Sequence, residues 1–290
     1  KYIWTRPPAG AANLVDNPAA NWRYQSESHE GHGNRQIYVP RGKILGGSSA
    51  INGTIYNRGQ KADYDTWGQM GCRGWSFEDV LPFLKKIEST DIGDDAHRGR
   101  SGPIRVTEAA KLTPFYDLFI DAAKAQGLPH NPDYSGETQE GVAMAQQTVF
   151  KGERESTAVK YIEPARKRSN VTVHSGAEAE ELLFEGKRCI GVTYRRNGRV
   201  EKAFAAREVI VSCGTANSPK LLELSGIGNP KILSEHGIKT FHELQGVGEN
   251  LRDHFGPILK WRFNQEGLSL AKRGQGARFA LEIAKYVTLR

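Results

Sequence analysis

Cysteine is sparse in this 290-residue chain, and its three copies, Cys72, Cys189 and Cys213, stand far apart. An odd, widely spaced set supplies neither a disulfide framework nor a thiolate metal site. The expected setting is reduced and cytoplasmic, with membrane association left open for a longer product. Cys213 reads as a small core residue at the end of an apolar strand. Long hydrophobic runs are missing too. No stretch approaches the length of a membrane span, and the opening residues do not read as a secretion signal. No cysteine or carboxylate accompanies His29 and His32 at ligand spacing, so both read as exposed loop histidines and no metal is expected. Internal repeats and low-complexity tracts are absent. The net charge is +7, yet the basic residues are scattered, and Arg166-Lys167-Arg168 reads as a solvated helix end. Without a basic stripe or a recognition motif, a nucleic-acid binder is disfavoured.

What the chain does have is glycine at two marked places. The first lies in Arg41-Gly42-Lys43-Ile44-Leu45-Gly46-Gly47-Ser48-Ser49-Ala50-Ile51-Asn52-Gly53-Thr54-Ile55. Gly46 and Gly47 let the backbone bend freely and approach a ligand. Ser48 and Ser49 offer hydroxyls and a helix start whose free N–H groups attract an anion. On such a helix Asn52 faces the same way as Ser48. The plain alternative is an ordinary tight turn. The second place follows Glu208-Val209-Ile210-Val211-Ser212-Cys213, which reads as a buried strand. Gly214 is its turn. Ser218 is the expected cap of the next helix, with Pro219 at the first helical position.

The rest reads as mixed α and β structure. Residues 1–40 are loop-rich, with Trp22 and Tyr24 as anchors. A short helix covers 62–70. Ser76-Phe77-Glu78-Asp79 forms a capping box opening a helix that ends near Glu88. Thr113-Pro114 starts another, with Phe115, Leu118, Phe119 and Ala122 as its apolar stripe and Gly127 beyond its end. Residues 128–155 form a long surface connection, and Ser156 to Lys167 reads as a helix despite Pro164. Val171–His174 is a predicted strand. A β-meander follows, with Asn197-Gly198 as a tight hairpin turn. Near the end, Ile258–Phe263 alternates as a strand and Phe279 to Leu289 reads as a helix.

Together the two glycine stretches resemble the two signatures of the glucose–methanol–choline (GMC) family of flavin oxidoreductases. Ala62-Asp63-Tyr64-Asp65-Thr66-Trp67 and Gly246-Val247-Gly248-Glu249-Asn250-Leu251-Arg252-Asp253-His254 are further family-like phrases. The resemblance implies an α/β (α+β overall) fold: an FAD-binding Rossmann-like domain with an inserted β-meander, plus the start of a substrate-binding domain. Residues 1–255 would be the FAD-binding region, with 100–155 on the substrate side, and 256–290 would open the substrate-binding domain.

The implied activity is oxidation of the CH–OH group of a choline-like, aliphatic or aromatic primary alcohol, by hydride transfer to flavin N5. By resemblance, Ile44, Gly46, Gly47 and Ser48 meet the flavin or its phosphates, and Asn52, Gly53, Thr54 and Ile55 line the flavin ring. Ala179 matches a backbone contact to the adenine, and Gly214 the turn by the adenosine phosphate. Alone, Ala179 reads as a plain strand residue. Some relatives tether FAD through a histidine just before the glycine pair. Arg41 stands there, so non-covalent FAD is expected. The electron acceptor stays open between oxygen and a quinone. No Gly-x-Gly-x-x-Gly turn occurs in the chain. The family's catalytic His pair is expected beyond Arg290, so no catalytic residue is assigned and His254 is read as structural. The chain therefore reads as an internal fragment, inactive alone. The competing reading is a non-catalytic flavin-fold binding protein or remnant.

Overall fold

The computed structural model describes residues 3–254, 256, 258–265, 267–270 and 275–288. The chain divides into two compact units, Lys1–Val171 with Trp261–Arg290, and Thr172–Lys260.

The first unit is built from short pieces. Its ladders are two residues long: Tyr24–Gln25 pairs with Tyr38–Val39, Thr107–Glu108 with Gln146–Gln147, and Val149–Phe150 with Glu153–Arg154, all antiparallel. Glu88–Ser89 pairs with Ile104–Arg105 in parallel. Its helices begin where local chemistry places them. Ser76 caps Phe77–Ile87, and Asp79 returns a bond to the Ser76 N–H at 3.2 Å. Lys61–Gln69 starts the same way, the Gln60 N–H donating to Asp63 at 2.8 Å. Phe115–Ala125 forms as expected, Gly127 following at φ +87°. Leu118 and Phe119 of its apolar stripe remain exposed. Trp22 and Tyr24 stack with ring centroids 6.0 Å apart.

Two kinds of core hold this unit. A small apolar cluster joins Leu14, Ala20, Ala50 and Ile51, with Ile44 packed on it. A buried polar cluster centres on Glu88. Its carboxylate accepts from Arg58 Nη2 at 2.7 Å, Arg98 Nε at 2.9 Å and the Gly99 N–H at 2.8 Å. Arg98 also binds Asp133, and donates to Gln146 Oε1 at 3.0 Å.

The expected helix from Ser156 forms with a wide turn. Ala158–Ile162 is π-helical and Glu163–Ala165 α-helical. Pro164 has no N–H to continue an α-helical ladder, which suits the widening.

In the second unit, Ala177–Glu185, Arg188–Arg196 and Arg199–Phe204 form the expected meander. Asn197 and Gly198 both have positive φ, +50° and +77°, as a type I′ turn requires. The helix Gly214–Leu224 packs on the meander, where Ser225 Oγ accepts from the Leu182 N–H at 2.9 Å.

The mixed α/β class thus stands, but several sequence-predicted details differ. Val171–His174, Glu208–Cys213 and Ile258–Phe263 belong to no ladder. A buried parallel strand needs partners along its edges, and none pairs with these segments among the described residues. Ile210 is consequently 78% exposed, and Cys213 is exposed rather than core. The second helix starts at Gly214, so Pro219 lies inside it, and Ser218 Oγ accepts from the Cys213 N–H at 2.9 Å. The last helix runs Gly276–Thr288, while Leu289 falls outside the described residues. Among the described residues, no helix is long and apolar enough to cross a membrane.

Two outcomes are expected of the Glu88 cluster. Glu88→Gln leaves two buried guanidinium groups facing a neutral amide and should cost about 3–5 kcal/mol, read as a fall in the denaturation midpoint. Burial, reinforced by the Glu88 charge, pushes the Tyr56 phenol from 10.0 up to about 12. The fold therefore favours the neutral phenol. That contribution is complete below pH 10.0 and is lost as pH rises through about 12. Across this window the wild-type melting temperature should fall more steeply than that of Tyr56→Phe.

Candidate functional site

The glycine-marked loop sits directly on the apolar cluster, because Ile44, Ala50 and Ile51 belong to both. Ile44 spends its side chain on that packing, while its carbonyl accepts from the Gly47 N–H at 2.8 Å. Gly46 and Gly47 both have positive φ, +90° and +52°. They differ in surroundings. A Cβ on Gly46 would lie 2.9 Å from the Ala158 Cβ, whereas one on Gly47 would meet nothing within 4 Å. One glycine is therefore needed for close packing, and the other faces open space.

The serines do not act as the sequence suggests. Ser48 Oγ accepts from the Gly42 N–H at 3.0 Å. Ser49 Oγ donates to the Gly46 carbonyl at 2.6 Å and accepts from the Thr157 N–H at 3.0 Å. Thr157 Oγ1 also donates to the Gly46 carbonyl, at 3.2 Å. Both hydroxyls thus hold the loop's own shape. The expected α-helix is a single 3₁₀ turn, Gly47–Ala50. Four residues align too few peptide dipoles to act as a helix terminus.

Beyond that turn the chain presents a different surface. Asn52 and Gly53 are exposed, and so is Ile55, at 57%. Thr54 between them is buried, with φ +64°. Its carbonyl accepts from the Thr148 N–H at 2.9 Å, and Ile55 bridges to Gln147. Asn52 Oδ1 accepts from Arg154 Nη1 at 2.5 Å and from the Thr54 N–H at 3.1 Å. With the oxygen engaged on the protein side, the amide nitrogen is the end left for a ligand. An oriented donor, an exposed apolar side chain and an open glycine thus stand together on one loop.

Arg154 lies beneath this loop and is 1% exposed. Nη1 also donates to the Ser49 carbonyl at 3.2 Å, and Nη2 to the Pro8 carbonyl at 3.3 Å. Nε has no partner. Burial depresses the pKa of the guanidinium. No local pattern in the sequence singled this residue out, since its partners lie more than a hundred residues away.

Two expected residues lie in the second unit. Ala179 is half-buried in the first meander strand, opposite Tyr194. The register shifts between Thr193 and Tyr194, leaving Glu180 as the extra residue of a bulge. Gly214 opens the eleven-residue helix at φ +88°, exposed and with nothing within 4 Å of an added Cβ. The structure thus gathers Ile44, Gly46, Gly47, Ser48, Asn52, Gly53, Thr54 and Ile55 on one loop of the first unit.

The open glycine and the outward amide leave room and a hydrogen-bond donor for a polar group at the loop. Comparison with known proteins agrees. The profile of a family described as GMC oxidoreductase matches residues 9–256. An oxygen-dependent choline dehydrogenase of Photobacterium profundum is 39% identical over 267 residues, covering 91% of this chain and 47% of the relative. An FAD-dependent oxidoreductase structure from Chaetomium thermophilum matches with a TM-score of 0.78 and 30% identity, over 86% of this chain and 45% of that one. A formate oxidase structure matches with a TM-score of 0.85 and 27% identity, over 98% and 51%. The chain spans about half the length of these relatives.

The glycine pair can be tested by stability. Gly46→Ala combines a disfavoured φ with a clash and should cost about 2–3 kcal/mol. Gly47→Ala meets only the backbone penalty, about 1–2 kcal/mol. Thermal melts should place Gly46→Ala below Gly47→Ala, and the reverse order would contradict the packing against Ala158.

Proposed function

Because the chain belongs to the GMC oxidoreductase family, we propose that its full-length protein is an FAD-dependent enzyme oxidising the CH–OH group of a choline-like or other primary alcohol. The observation that carries this reading is the Gly46–Ile55 loop, with its open Gly47, its exposed Asn52 amide and its exposed Ile55. FAD, when bound, supplies a hydride acceptor at flavin N5.

The chain's own residues bind and orient. Gly46 and Gly47 let the backbone approach the cofactor, with Ile44 and Ser48 bracing the turn through the Ile44 carbonyl and the Ser48 hydroxyl. Asn52 offers a donor, Gly53 leaves room, Thr54 fixes a left-handed bend, and Ile55 supplies an apolar contact that keeps water away. Ala179 and Gly214 are assigned to the adenosine end by family resemblance. For Ala179, the adjacent bulge frees backbone groups from the ladder. Residues 1–255 form the flavin-binding region in this reading, 100–155 face the substrate, and 256–290 begin the substrate-binding domain. No described residue is assigned as the base.

Arg41 at the position before the glycine pair supports non-covalent FAD, since its guanidinium donates to the Pro40 carbonyl at 2.9 Å and is no tethering nucleophile. The relative's name supports choline as substrate and oxygen as acceptor, with a quinone as the other acceptor.

The purified full-length protein should be yellow, and denaturation should release all flavin into solution. Colour retained by the polypeptide would refute the non-covalent arrangement. Under anaerobic conditions choline, or another alcohol of a tested panel, should bleach the flavin band. A protein that takes up no FAD would overturn the reading.

A further inference from the structure

We propose that Arg154 is a positioning residue for the cofactor: from beneath the Gly46–Ile55 loop it holds Asn52 Oδ1, so that the Asn52 amide nitrogen is turned outward to the flavin dinucleotide. The inference rests on the FAD reading above and extends it to a residue outside both glycine stretches.

The first support is geometric. Nη1 reaches Asn52 Oδ1 at 2.5 Å and the Ser49 carbonyl at 3.2 Å. One planar nitrogen thus ties the exposed amide to the turn that carries Gly46 and Gly47. The Thr54 N–H completes the grip on Oδ1 at 3.1 Å. An amide held through its oxygen by two donors can present only its NH₂ end. The second support is the way the charge is answered. Arg98, equally buried, faces Glu88 and Asp133, and Arg58 faces Glu88. Arg154 has carbonyl and amide oxygens, an unpaired Nε, and no carboxylate partner among the described residues. A buried cation without a counter-ion is costly. With no carboxylate beside it among the described residues, its charge is answered by oxygens of the chain, Asn52 Oδ1 the nearest of them at 2.5 Å.

A merely structural arginine would staple the Pro8 and Ser49 carbonyls and act independently of Asn52. A double-mutant cycle separates the two cases. In the full-length apoprotein, FAD affinity is titrated by flavin fluorescence for wild type, Arg154→Met, Asn52→Ala and the double variant, with apoprotein melts alongside. Arg154→Met should weaken FAD by about tenfold or more. In the Asn52→Ala background the same change should cost no more than about twofold, because the amide it positions is gone. The visible flavin band of reconstituted Arg154→Met and Asn52→Ala should shift in the same direction, which loss of a distant staple would not produce. If Arg154→Met does not fold, Arg154→Lys carries the identical cycle. Wild-type apoprotein that binds no FAD overturns the flavin reading and this inference together. Wild type that binds, with Arg154 variants within about twofold of it or additive with Asn52→Ala, overturns this inference alone.

Discussion

Buried charge has to be answered, and the first unit is arranged around that constraint. Its apolar cluster is small, and several of its largest fully buried side chains are Arg98, Arg154, Gln146 and Glu88. Hydrophobic burial is non-directional, so a small apolar core specifies little beyond compaction. Directional bonds specify the rest. Glu88 gathers Arg58, Arg98 and the Gly99 N–H, and so fixes three short segments that no long ladder joins. Removing any of the charged side chains leaves an ion in a medium that solvates it badly. A unit made of two-residue ladders holds its shape through such junctions.

The glycine-marked loop inherits its shape from the same kind of bonding. The Ser48 and Ser49 hydroxyls bond to the loop's own backbone and to Thr157, so the loop keeps its bend without a ligand. That is preorganisation: the ordering of the turn is complete before binding and is not charged against affinity. Asn52, Gly53 and Ile55, which the loop turns outward, stand exposed on that rigid base.

The parts of the fold that were legible in the sequence are those decided locally. Ser76 with Asp79, and Asn197 with Gly198, each act within four residues, and both behave as expected. The glycine pair was legible for the same reason, since φ preference belongs to the residue itself. The strands expected at Val171–His174 and Glu208–Cys213 do not form, because apolar patterning describes a willingness to pair and not the presence of a neighbour. The helix expected after Gly47 shortens to one turn because serines that could cap a helix instead bond to Gly42 and Thr157. Arg154 was invisible because its meaning comes from burial and from partners 102 and 105 residues away.

The π-helical turn Ala158–Ile162 acts as a spacer of fixed length. At its start, Thr157 grips Ser49 and Gly46, and Ala158 packs on Gly46. Just past its end, Glu163 is held by Arg6 at 3.3 Å. Each helical residue turns the chain by roughly 100°. Losing one residue from this segment would convert the wide turn to an ordinary one and swing one anchor away from its partner. Insertions and deletions accumulate in surface loops of a protein lineage, but here the residue count itself is under mechanical constraint, because a single codon gained or lost would put Thr157 and Glu163 out of step with each other.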